Sequence, residues 1–273
     1  MSREDIFVKL LKTKTYNFPT MEEWKPIAMQ IYSKFDSDLA VDKGNFFVEL
    51  GSVVSKLAEG MLASLAIFVL TLVFSLPLGL LLMFVRLSKV NVIRWIAKIY
   101  ISIMRGTPLM LQLLVVFFGP YYVFGISLSY SYRFYAVIIG FALNYAAYFA
   151  EIFRSGIQAI PAGQSEAATV LGYTRAQTFV RIILPQMTRI VLPPVTNEVI
   201  TLVKDTSLAF ALAYTEMFTL AKQIAAASAS IMPLFIAGAF YYIFNFSRYY
   251  IYQIIRIYFY LISNFSSTNN NKI

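Results

Sequence analysis

The amino-acid sequence predicts an all-α integral membrane protein, and three observations carry that reading. Hydrophobic residues make up 59% and charged residues 14% of 273 positions, a balance too apolar for a soluble domain of this length. Residues 61–85 run for 25 positions without a charge, and a helix needs ~20 residues to cross a hydrocarbon core. Further uncharged runs cover 106–132, 134–150 and 224–247. Lipid offers no partner for an open backbone, so such runs form helices.

Composition also narrows the chemistry. The chain has no cysteine and no histidine, which removes disulfides, thiolate nucleophiles, histidine bases and most transition-metal sites. No metal site and no cofactor are expected. The formal charge of +9 reads as cytoplasmic loops facing anionic membrane lipid, not as a nucleic-acid surface.

Taken in order, residues 1–58 form a polar extension with eight basic and eight acidic side chains, and no cleavable signal is visible in it. Residues 61–85 are the first span. The stretch 86–105 carries Arg86, Lys89, Arg94, Lys98 and Arg105 without an acid; Ile93, Ile96, Ala97 and Tyr100 recur in it at helical spacing. It reads as an interfacial or cytoplasmic helix. Residues 106–132 and 134–150 supply the second and third spans. Residues 182–203 give a shorter fourth span interrupted by Pro185, Pro193 and Pro194, and 224–247 a fifth. Residues 248–273 read as an aromatic helix along the inner surface with a polar tail. The membrane domain is therefore 59–247.

Orientation follows from the basic residues. Five of them lie between the first and second spans, whereas the turn before the third has only Arg133. The positive-inside rule puts the former in the cytoplasm. Five spans then place the N-terminus outside, and residues 155–181 and the C-terminus inside.

The cytoplasmic segment 155–181 has its own punctuation. Pro161 suits a first helical turn and Gly172 a left-handed stop, with Ala167, Ala168, Val170 and Leu171 between them. Thr174 and Gln177 form a capping-box pattern that starts a second helix, whose Phe179, Val180, Ile183 and Leu184 lead into the membrane. Read from these residues alone, the small side chains allow close packing, Glu166 is a solvated cap and Pro185 kinks a span.

The spacing goes further. Glu166, Ala167 and Ala168, then Gly172, Ile182, Leu184 and Pro185, reproduce EAA-x3-G-x9-I-x-L-P. With "LNYAAYFAEIFRSGIQAIPAGQSEAA", "RGTPLMLQLL" and "NEVITLVKDTSL", the chain resembles permease subunits of ATP-binding-cassette importers, in their polar amino acid branch, over about residues 48–245. It departs from them in its long N-terminal extension and tyrosine-rich C-terminal end. The resemblance implies a type I importer permease of about five transmembrane helices in a bacterial inner membrane. It implies a second permease subunit, identical or not, separate ATPase subunits and an extracytoplasmic solute-binding protein. Glu166, Ala167, Ala168, Leu171 and Gly172 would form the coupling helix on which the ATPase acts. None of the 12 glycines is followed by lysine, so the chain lacks a nucleotide phosphate loop of its own.

Polar groups in spans are costly and tend to face cavities. Asn144, Glu198, Lys204 and Asp205 are therefore substrate-path candidates, with Gln112 and Glu151 as weaker ones. A zwitterionic amino acid needs partners of both signs, which Lys204 and the two carboxylates offer. The same charges would equally suit an internal network bracing two permease halves. Glu151 and Arg154 are spaced to pair along a helix. An ion-coupled transporter, an exporter half and an intramembrane enzyme are the competing readings. The first has no use for a cytoplasmic docking helix, and the last lacks catalytic groups.

Overall fold

A computed structural model describes residues 45–126, 129 and 131–246, and every regular element within them is helical. The expectations for residues 1–44 and 248–273 lie outside the described residues.

Helix α1 (Phe46–Arg86) has 41 residues, about 60 Å at 1.5 Å per residue, twice the ~30 Å of a hydrocarbon core. It begins inside the stretch read as polar extension, and its first third is not free: Val53, Leu57 and Met61 are buried in a cluster with Met217, Ala221 and Ile224. Its second half holds the expected first span. There it packs along α4 (Tyr132–Gln158), and small side chains permit the approach. At Gly79 an added Cβ would lie 2.7 Å from the Phe149 Cβ and 3.1 Å from the Ala146 carbonyl oxygen. Gly79→Ala is expected to destabilise the chain by ~1–3 kcal/mol through overpacking. Gly51→Ala, where a Cβ meets nothing within 4 Å, is the control in thermal denaturation of the purified chain.

The uncharged run 106–132 becomes a shorter helix than the sequence suggests. Helix α2 (Asn91–Gly106) and helix α3 (Leu109–Phe124) meet at a 113° bend. Thr107 causes the break: it precedes Pro108, which disfavours helical backbone, and it stands at φ −120° and ψ 150°. Gly125, at φ 67°, stops α3. Helix α4 extends past the expected third span at both ends and includes the flanking charges Arg133 and Glu151.

Helix α5 (Ala162–Val170) and helix α6 (Arg175–Thr178) follow. A π turn (Phe179–Ile183) then joins α6 to helix α7 (Leu184–Asp205). The fourth span was expected to break at its prolines, yet α7 runs through Pro193 and Pro194. The irregular turns lie at its two ends instead. At the first, Pro185 would clash in an α-helix with the Arg181 carbonyl, and Arg181 sits in the widened π turn. At the second, Thr206–Leu212 tighten into a 3-10 segment closed by Ala213 at φ 51°.

The expected fifth span is also interrupted. Helix α8 (Met217–Ser228) ends at Ala229, which stands at φ 49°, and helix α9 (Met232–Phe246) starts afresh. Pro233 explains the break, since its ring would meet the Ala229 carbonyl one turn back. Ser230 Oγ accepts from Met232 N at 3.3 Å, satisfying the first free N–H of the new helix. Among the described residues, α1 and α4 are long and apolar enough to cross a membrane, with the bent pair α2–α3 as a third. Helix α7 has 22 residues and carries Arg189, Glu198, Lys204 and Asp205.

Candidate functional site

The segment after α4 is a helical hairpin built by local hydrogen bonds. Helix α5 closes with Tyr173 N donating to Ala168 O and Gly172 N to Thr169 O, both at 3.0 Å, the two bonds of a Schellman stop. That motif requires a left-handed residue, and Gly172 stands at φ 79°. Thr174 then opens α6: its Oγ1 accepts from Gln177 N at 3.3 Å, and Gln177 Oε1 accepts from Thr174 N at 2.9 Å. The expected capping box is present.

The five residues picked from the signature divide. Glu166, Ala167, Leu171 and Gly172 are exposed, whereas Ala168 is 1% exposed and packs inward. Ala168 thus belongs to the hairpin's own interior, not to its outer face. Beside Leu171, Val170 is 87% exposed, a residue the sequence reading used only as part of the helix. Phe179 meets Phe84 edge-on, with ring centroids 5.3 Å apart, which ties the hairpin to the end of α1.

From Arg175 to Asp205 the chain is helical without interruption, the π turn included. Those residues span about 46 Å. Its far end carries the second group of candidates. Glu198 and Asp205, seven positions apart, share one face of α7, and Lys204 lies on another. Asp205 Oδ2 accepts from the Tyr145 hydroxyl at 2.7 Å, and Tyr145 is 2% exposed on α4. Glu198 is half-buried and Lys204 exposed.

Asn144 points elsewhere. Its Nδ2 donates to Met104 O at 3.1 Å and to Gln112 Oε1 at 2.8 Å, while Gln112 Nε2 donates to Met104 O, Thr107 O and Thr107 Oγ1. These bonds satisfy the carbonyls that the α2–α3 bend leaves open. Asn144 and Gln112 are thus joined to the corner, and no hydrogen bond joins Asn144 to Glu198, Lys204 or Asp205. Consecutive residues of α4 hold the corner and α7: Asn144 one, Tyr145 the other. The expected Glu151–Arg154 pair is formed.

Three contributors are not among the site candidates that the sequence offers. Tyr145 is one. The second is Arg105, whose guanidinium lies 5.4 Å from the Tyr148 ring centre. The third is Glu216, fully buried at the start of α8, whose carboxylate accepts from Phe218 N, Thr219 N, Thr219 Oγ1, Ser64 Oγ and the Tyr241 hydroxyl. One carboxylate thereby pins α1, α8 and α9 together. A glutamate at the start of an apolar helix suits the helix dipole, but nothing local announces Ser64 or Tyr241.

Residues 75–256 match the family described as binding-protein-dependent transport system inner membrane component. The chain is 37% identical over 187 residues to the L-cystine transport system permease protein TcyB of Bacillus subtilis (strain 168), covering 68% of this chain and 78% of that protein. It is 37% identical over 186 residues to the arginine transport system permease protein ArtQ of the same organism, covering 68% and 84%. A crystal structure of an amino acid ABC transporter with histidines superimposes with TM-score 0.67 at 26% identity, covering 84% of this chain and 96% of that one. An inward-facing MetNI methionine ABC transporter shares the fold, with TM-score 0.54 at 19% identity over 73% and 94% of the two chains.

Proposed function

The chain belongs to the family of binding-protein-dependent transport system inner membrane components, and from that premise we propose that it admits a polar amino acid through a path bordered by the α4–α7 contact. As a member of that family it is a multi-pass permease subunit of an ATP-binding-cassette importer, and ATP is hydrolysed by a separate subunit. Cystine, arginine and histidine in the names of its relatives support an amino acid as cargo.

The observation that carries the mechanism is the uninterrupted helix from Arg175 to Asp205. One end is the hairpin with the exposed Glu166, Ala167, Val170, Leu171 and Gly172; the other is Glu198, Lys204 and Asp205. An ATPase can bias inward- and outward-facing states only through contacts that differ between them. A rod of this kind carries a push on α5 to the charged end of α7. Ala168 keeps the hairpin closed so that α5 and α6 move as one. In this reading Glu198 and Asp205 receive the substrate ammonium and Lys204 its carboxylate, while Asn144 holds the α2–α3 corner against α4.

Uptake in proteoliposomes containing this chain, its ATPase and its binding protein tests the reading. Amino acid accumulation is expected to need both ATP and the binding protein, and to survive collapse of ion gradients. Accumulation that follows an ion gradient without ATP would overturn it. Co-purification through this chain is expected to bring the ATPase and to reveal whether the second permease subunit is identical. Topology gives a further prediction from the basic residues after α1: the N-terminus outside and residues 155–181 inside. In intact cells an impermeant thiol reagent should label Gly44→Cys and spare Ala176→Cys; the reverse pattern would invert the orientation.

A further inference from the structure

Helix α2 is divided lengthwise into three faces. Ala97 and Ile101 are buried, and Tyr100, whose hydroxyl donates to Leu143 O at 2.7 Å, anchors that face on α4. Val92, Trp95, Ile96 and Ile103 are each more than half exposed on a second face. Arg94, Lys98 and Arg105 follow at i, i+4 and i+11 along a third and are exposed. A helix with one packed, one apolar and one cationic face lies in a membrane boundary, apolar side against acyl chains and charges at head-group level.

The cationic face is concave. Arg86, from the end of α1, borders a hollow of about 680 Å³ with Arg94, Trp95 and Lys98, and a second of about 510 Å³ with Lys98, Arg105, Tyr148 and Glu151. Among the described residues its charge is only partly offset, since the Glu151 carboxylate attracts Arg105 and Arg86 at one end of the face. Glu151 is held by Arg154, Arg94 reaches only the neutral Asn91 side chain, and among the described residues no other ion pair forms. Arginine and lysine one turn apart can share one phosphate, and arginine can grip it through two parallel bonds.

We propose that the hollow formed by Arg86, Arg94, Trp95 and Lys98 binds the phosphate head group of an anionic phospholipid, whose acyl chains lie along Val92, Ile96 and Ile103. The opposite charges select the head group, and the adjoining apolar face selects a lipid over free phosphate. The site stands whether or not the charges on α7 contact substrate, because it requires only that the chain lies in a membrane. Bound lipid would hold α2, and through Tyr100 the centre of α4, at a fixed depth.

Trp95 is a built-in reporter. The sequence has two tryptophans, so Trp24→Phe leaves Trp95 alone in the full chain. That chain is reconstituted in phosphatidylcholine vesicles containing a minor fraction of either brominated phosphatidylglycerol or brominated phosphatidylcholine. Quenching of Trp95 is expected at lower surface density with the anionic lipid, by about tenfold or more, and Arg94→Gln/Lys98→Gln should abolish the difference. Arg94→Lys/Lys98→Arg should keep it. Inorganic phosphate in the buffer should not displace the lipid. Equal quenching by both lipids in the Trp24→Phe chain, an unchanged preference in the glutamine variant, or release by inorganic phosphate would each overturn the proposal.

Discussion

Gly172→Val is expected to insert normally and to lower coupled uptake by about tenfold or more, a change equivalent to ~1.4 kcal/mol in coupling. The reason is the backbone, not crowding. A Cβ at Gly172 meets nothing within 4 Å, so the surroundings would tolerate a side chain. The φ of 79° would not: a residue with a Cβ pays ~1 kcal/mol or more there, and a β-branched one is disfavoured most. If Gly172 leaves the left-handed region, the bonds from Tyr173 N and Gly172 N to α5 are lost and α5 swings relative to α6. Val170 and Leu171 would then present a different surface to the ATPase. Asparagine tolerates positive φ better than alanine or valine. Uptake should therefore fall in the order Gly172→Asn, Gly172→Ala, Gly172→Val, with ATPase activity measured in parallel to reveal hydrolysis without transport. Three variants with equal, normal uptake would reduce the hairpin to an ordinary loop.

The hairpin was legible because its determinants are close in sequence. The Thr174–Gln177 pair and the Gly172 stop act over three to five residues, and each carries its meaning in its side chain. Helices α1 and α4 were legible for a different reason, since an uncharged run of span length has few other homes. The breaks were missed although their signals were printed. Pro108 after Thr107 and Pro233 after the small residues 225–230 each stop a helix, but a reading that counts charges runs straight past them. Pro193 and Pro194 give the opposite mismatch, since they signal a break and α7 continues through them. What could not be read were meetings between distant residues. Tyr145 finds Asp205 60 positions on, and Ser64 finds Glu216 across 152. Asp205 and Glu216 stand out as charges, but nothing local names Tyr145 or Ser64 as their partners, and the polarity of Asn144 does not reveal that its bonds run to the α2–α3 corner.

Asp205→Asn and Lys204→Met are expected to separate transport from bracing. Asp205 accepts from the buried Tyr145 hydroxyl, so a bracing role predicts that its loss loosens α7 from α4. Asparagine keeps an oxygen in the same place, and Tyr145 can still donate to it. The fold should therefore survive Asp205→Asn, whereas Tyr145→Phe removes the only hydroxyl directed at that oxygen among the described residues and should cost ~1–3 kcal/mol of stability. Lys204 is exposed and makes no ion pair among the described residues, so Lys204→Met removes only a long-range attraction to Asp205 within the chain. A large effect must therefore come from outside the chain, either the substrate or a neighbouring subunit. Loss of one charge-assisted contact of 1.5–3 kcal/mol corresponds to about a tenfold to hundredfold fall in uptake. Both Asp205→Asn and Lys204→Met should show that fall, with unchanged thermal denaturation and unchanged co-purification of partners. Their preferences should shift in opposite senses: without Asp205 the path gives up its hold on cationic amino acids, and without Lys204 on anionic ones. Competition of uptake by arginine and by glutamate reads this directly. If Lys204→Met instead dissociates the complex with its residual selectivity intact, the charged end of α7 is a brace between subunits, and the path lies elsewhere along α4.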